Sequence, residues 1–118
     1  MIRAGVAVCL CLLLPAPVAA DGFAPVRERA DFVRLVSGKA LTQFGISLTV
    51  TPEGGISGRA FGRPVTGAWN WAGGYFCREM AFGSRLLAQN CQVVQRKGDT
   101  LRFIADEGRG DTADLKLR

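Results

Sequence analysis

The chain has 118 residues, 15 basic against 10 acidic side chains, no histidine and a net charge of +5. That length fits one domain, and its charges are interleaved, as in Arg27-Glu28-Arg29 and Arg78-Glu79. No run of like charge marks a nucleic-acid arm or a membrane-binding patch. Without histidine, the usual general base at neutral pH and the usual nitrogen ligand for zinc or copper are both missing.

Residues 1–20, MIRAGVAVCLCLLLPAPVAA, read as a secretory signal peptide. Arg3 supplies a positive start, Val6 to Leu14 a short apolar stretch, and Val18-Ala19-Ala20 a small-residue cleavage site. The apolar run is too short to span a bilayer comfortably. The expected mature chain therefore begins at Asp21, is periplasmic or secreted, and has no stable membrane insertion. Cys9 and Cys11 leave with the leader, and neither stands in a lipoprotein pattern. Cys77 and Cys91 remain as a pair in an oxidising compartment, where a disulfide is the natural outcome.

Residues 21–118 read as a single β-rich domain. A helix is predicted at about 28–38, with Phe32, Val33 and Val36 at helical spacing and Gly38 as its C-terminal glycine. From Ala40 the period changes to two, and Ile46, Leu48 and Val50 alternate with polar residues up to the turn Pro52-Glu53-Gly54-Gly55. The strand 56–61 is glycine-rich, with Gly58 and Gly62 leaving room for a neighbouring backbone or ring. Val65, Gly67, Trp69 and Trp71 share one face of the next strand. Strands follow at 75–81, 86–96, 100–105 and 112–117, although the opening of 86–96 also suits a loop or a helical turn. The predicted fold is mainly β: a small antiparallel meander of about seven strands forming a barrel or sandwich, with one short N-terminal helix over an open end or edge.

The densest cluster of unusual residues is Trp69-Asn70-Trp71-Ala72-Gly73-Gly74-Tyr75-Phe76-Cys77-Arg78. Two readings stand: a tryptophan-rich core packed on the disulfide, or a ligand-facing aromatic shelf. In the second, Trp69, Trp71 and Tyr75 bind the ligand and Arg78 meets an anion. No catalytic set is visible. Glu79 and Asp106 are the carboxylates available for a pair, and Ser84 reads as a turn residue. The glycines of 54–62 lack the dinucleotide-binding spacing and no helix follows them, so no cofactor is implied and no metal site is read.

Several segments resemble a family of short exported proteins of α-proteobacteria. They are Gly45-Ile46-Ser47-Leu48-Thr49-Val50-Thr51-Pro52, Gly58-Arg59-Ala60-Phe61-Gly62, Gly67-Ala68-Trp69-Asn70-Trp71, Gly74-Tyr75-Phe76-Cys77-Arg78, Asn90-Cys91-Gln92 and Gly98-Asp99-Thr100-Leu101-Arg102-Phe103. Members are sometimes labelled dihydrodipicolinate reductase. That enzyme family uses a Rossmann unit and a histidine- and lysine-containing catalytic segment, so the resemblance carries over no catalytic residue. A helix followed by a disulfide-bonded barrel is also similar in architecture to periplasmic metalloprotease inhibitors, whose inserted N-terminal segment residues 21–29 would imitate. The expected function is a small exported binding or inhibitor-like module without catalytic activity, its partner a periplasmic or envelope protein and not a nucleic acid. An enzyme and a structural envelope component are the alternatives.

Overall fold

The computed structural model describes residues 4–9 and 20–118. Most of the expected leader lies outside the described residues, and residues 4–9 have no regular secondary structure. The elements are β1 (Ala24–Val26), α1 (Arg29–Val36), β2 (Ala40–Gln43), β3 (Ile46–Val50), β4 (Gly55–Ala60), β5 (Arg63–Ala72), β6 (Tyr75–Phe82), β7 (Arg85–Lys97), β8 (Thr100–Ile104), the one-turn α2 (Ala105–Gly108) and β9 (Thr112–Leu117). Strands β2 to β9 form a closed antiparallel barrel.

Closure depends on the length of β7. Its first part, up to Gln92, pairs with β6, and Val93–Lys97 pairs with β8. Where β6 has ended, β1 takes over the vacated edge, with Ala24, Pro25 and Val26 opposite Arg96, Gln95 and Val94. Pro25 is tolerated there because an edge strand need not donate every amide to a ladder. Between Arg78 and Met80 the β6–β7 register slips, because Arg78 faces Asn90 whereas Met80 faces Leu87. The extra residue on β7 is a bulge, which bends the strand and helps a small sheet to close.

The period-two pattern sets what lies inside. Val65 and Trp69 of β5 and Phe76 of β6 are buried, as are Val50, Ile56, Val94, Leu101, Phe103, Leu115 and Leu117. Gly58 is required by the closeness of two strands: a β-carbon there would lie 2.1 Å from the Ser47 carbonyl oxygen. Gly62 was expected to serve the same purpose, but nothing lies within 4 Å of its would-be β-carbon, and it serves a turn with φ of 80°.

One end of the barrel is stoppered by α1. Phe32 has no exposed surface and Val36 is 1% exposed. The Phe32 ring sits 5.1–5.2 Å from those of Trp69, Trp71 and Phe76, and 6.4 Å from that of Phe103. Helix α1 ends as expected, with Ser37 Oγ donating to the Val33 carbonyl and Gly38 at φ 71°. The connections 51–54, 73–74 and 98–99 lie at this stoppered end, whereas 44–45, 61–62, 83–84 and 105–111 ring the opposite mouth.

Two features correct the sequence reading. The strands number nine rather than about seven. The additional ones are β1, only three residues long and containing a proline, and β2, separated from β3 by the two-residue turn Phe44-Gly45. The helix is consequently the second element and not the N-terminal one. The segment 86–96, open to two readings, is strand throughout.

Candidate functional site

A cavity of about 230 Å³ occupies the barrel interior between the aromatic stopper and the mouth. Its wall is built by the inward positions of seven strands, among them Ile46, Leu48, Met80, Phe103, Ala113 and Leu115. Gln43 and Gln92 are the polar neutral residues of the lining, and Arg78 is its sole charged one. The register explains why an arginine is there. Arg78 lies opposite Trp69 and between Phe76 and Met80, so strand alternation directs it to the same side as these apolar residues.

Arg78 Nη1 donates to the Ala88 carbonyl at 2.7 Å, on the bulged stretch of β7. Among the described residues no carboxylate pairs with it. Burial alone draws its pKa below the usual arginine value. A guanidinium still stays protonated at neutral pH, so the lumen holds a fixed positive charge with donors to spare. Asn90, directly across from Arg78, exchanges two bonds with Asp106. Its Nδ2 donates to Asp106 Oδ1 at 2.7 Å, and its Oδ1 accepts from the Asp106 amide at 3.0 Å. This exchange anchors the β8–β9 connection, where Asp106 and Glu107 take left-handed backbone angles. Asp106 is thereby engaged by an amide and not by the guanidinium.

The disulfide links Cys77 to Cys91, directly opposed on β6 and β7. These residues are the chain neighbours of Arg78 and Asn90, so the bond fixes the register of the two strands beside the lumen charge. Alternation puts the sulfurs on the outer face.

The four residues singled out in the sequence do not form one shelf. Trp69 is 6% exposed, and its Nε1 donates to the Thr51 carbonyl at 2.8 Å. Trp71 packs on Phe32 and donates to the Arg27 carbonyl at 2.9 Å. Tyr75 lies outside the barrel, in a surface cleft shared with Trp71, Pro25 and Arg27. Only Arg78 enters the cavity. The core reading thus holds for Trp69, and the arginine is separated from the aromatic residues expected to work with it. Gln43, Met80 and Gln92 were missed, although their inward parity was readable once the strands and their pairing were assigned.

The carboxylates considered for catalysis are not brought together. Glu79 faces outward from β6, and Asp106 is held at the mouth by Asn90. Among the described residues no group of three metal-ligating side chains converges, and no helix is long and apolar enough to cross a membrane.

The fold and site define a class: a closed, disulfide-braced antiparallel barrel, stoppered by a helix at one end and open at the other, with one cation in an apolar lumen. No protein-family model, curated protein or solved structure matches the chain.

Proposed function

We propose that the protein is an exported, non-catalytic binding module of the periplasm or extracellular space, and that its ligand enters the barrel through the mouth. The observation carrying this reading is Arg78, a cation placed among apolar side chains with no acidic partner among the described residues. A half-buried charge without a counterion carries a desolvation cost, and an anionic ligand would offset it. An engineered apolar cavity of about 150 Å³ holds a benzene molecule, so about 230 Å³ suits a ligand of roughly eight to ten heavy atoms. The ligand class is a small amphiphile: an apolar body for the lumen and a carboxylate or sulfonate for Arg78. Export is supported by the leader-like residues 1–20 and by the Cys77–Cys91 disulfide, a bond characteristic of oxidising compartments.

The N-terminal segment is a less favoured binding element. Phe23 is buried beneath the Arg102 guanidinium at 3.7 Å, Lys97 Nζ donates to the Asp21 carbonyl, and residues 24–26 are paired with β7. Inserting residues 21–29 into a protease cleft would require these contacts to break. The lumen needs no such rearrangement.

The test is direct calorimetric titration of the protein with octanoate and with octanol, both of a size the lumen can hold. The proposal expects saturable binding of one ligand per chain, tighter for octanoate than for octanol, and loss of that preference in Arg78→Met. Equal affinity for the acid and the alcohol would overturn the role of Arg78. Absence of saturable binding by either would overturn the lumen as a ligand site.

A further inference from the structure

Within residues 20–118, the large hydrophobic side chains left exposed are Phe44 (93%), Phe61 (67%) and Leu86 (83%). All three lie at or beside the mouth connections, one on each of the β2–β3, β4–β5 and β6–β7 hairpins. Singly scattered exposed apolar residues need no explanation, but three confined to one end of a barrel do.

Phe61 carries a further sign. The turn Phe61-Gly62 has φ of 50° and 80°, a conformation that favours Asn, Asp or Gly at its first position and is strained for an aromatic residue. The sequence nevertheless places a phenylalanine there, and its ring lies over Gly45, where a β-carbon would stand 2.7 Å from Phe61 Cε1. Glycine at 45 is therefore what allows the β2–β3 and β4–β5 tips to meet and present Phe44 and Phe61 side by side.

Two of the three hairpins, β4–β5 and β6–β7, are basic. Arg59 donates to the Gly62 carbonyl at 2.8 Å, Arg63 lies over the Phe82 ring at 5.8 Å, and Arg85 opens β7. Neither hairpin tip carries an acidic residue, and none of these arginines forms an ion pair among the described residues. The acids of the mouth, Asp106, Glu107 and Asp111, belong to the β8–β9 connection, accompanied by Arg109. Strand order sets that connection across the ring from the β4–β5 hairpin. No basic run exists along the chain; the barrel assembles one from Arg59, Arg63 and Arg85, which lie on two separate hairpins.

We infer that this rim docks on an anionic lipid bilayer. Phe44, Phe61 and Leu86 enter the interface, Arg59, Arg63 and Arg85 meet the headgroups, and the acidic β8–β9 side tilts away. Aromatic and aliphatic tips flanked by arginine match the apolar and anionic layers of such a surface in order. This inference stands apart from the ligand reading, because it uses the outside of the mouth and not the lumen.

The test is co-sedimentation of the full chain, as recovered after expression, with vesicles of equal parts phosphatidylglycerol and phosphatidylethanolamine, against vesicles of phosphatidylcholine. Any contribution from residues 1–20 is common to every variant. Partitioning to the anionic vesicles is expected, weakened by salt. Phe44→Ser should lower it about tenfold, and Arg63→Gln and Arg85→Gln about fivefold each. Phe61→Asn should also lower it while the melting temperature holds or rises, an outcome that a purely structural Phe61 would not give. Lys116→Gln on β9 should leave partitioning unchanged. Equal partitioning of the rim variants and the parent, equal binding to both vesicle types, or no binding would overturn the inference. So would a concentration-dependent dimer that Phe44→Ser abolishes without any vesicle binding.

Discussion

Trp69 and Arg78 face each other across β5 and β6 and point to the same side of the sheet, yet they meet opposite fates. The indole is sealed into the core with its nitrogen satisfied by the Thr51 carbonyl. The guanidinium, one strand over, lines the lumen and donates to the Ala88 carbonyl. What separates them is position along the barrel. Helix α1 caps the end where Phe32 reaches Trp69, and nothing comparable among the described residues reaches Arg78.

An unpaired, half-buried cation is a stability liability. Arg78→Met keeps the volume and the apolar stem while removing the charge. Its melting temperature is expected to equal or exceed that of the parent, the gain being of order 1 kcal/mol or less. Thermal unfolding checks this; a loss of several degrees would mean that the Ala88 hydrogen bond is structural.

The stopper is a single side chain deep. Phe32→Ala removes a ring with no exposed surface that touches the faces or edges of four others. The expected cost is about 3–5 kcal/mol, read by urea unfolding. Relaxed packing should also change the near-ultraviolet circular dichroism of Trp69 and Trp71.

Much of this architecture is legible in the sequence, and the illegible parts have physical causes. Alternation at 46–50 and 65–71 marks inner and outer faces directly, because burial of one sheet face imposes it. Strand β2 was hidden because Phe44-Gly45 lacks the Asn-Gly or Asp-Gly signature, yet a glycine in second position is what a type II turn requires. Strand β1 was hidden because its stability comes from the edge of β7, seventy residues away, and not from its own three residues. Arg78 was identified as an anion partner from composition, but its separation from Tyr75 is a matter of parity: 75 and 78 lie on opposite faces of one strand. The rim was invisible because Phe44, Phe61 and Leu86 meet only when the barrel closes.

The disulfide spans 14 positions. Replacing both Cys77 and Cys91 by alanine should lower stability by about 3 kcal/mol. Because the β6–β7 ladder continues on either side of the bond, the barrel should still form, with unchanged far-ultraviolet circular dichroism at low temperature.

Arg102 ties three segments together. It grips Asp114 through Nε at 2.8 Å and Nη2 at 3.0 Å, reaches Asp21 at 2.9 Å, and covers Phe23. The hydrogen bonds from Arg102 hold the Asp114 carboxyl below its ordinary pKa. A carboxylate depressed in the folded state stabilises fully above its unfolded pKa of about 3.9 and loses that contribution as pH falls through the lower folded value. Melting temperature should therefore drop from about pH 4 downward, and Asp114→Asn should lose the part of that dependence due to this site. An identical acid profile in the variant would place the dependence elsewhere.

The central claim is that the lumen accepts an anionic amphiphile at Arg78. Met80 reports on it directly, since it lines the cavity and is the sole methionine apart from Met1. A titration of methyl-labelled protein with octanoate, followed by the Met80 ε-methyl resonance, should show a saturable shift at one ligand per chain that needs a much higher octanoate concentration in Arg78→Leu. A Met80 methyl that does not move, or that titrates at the same concentration in Arg78→Leu, would contradict the account.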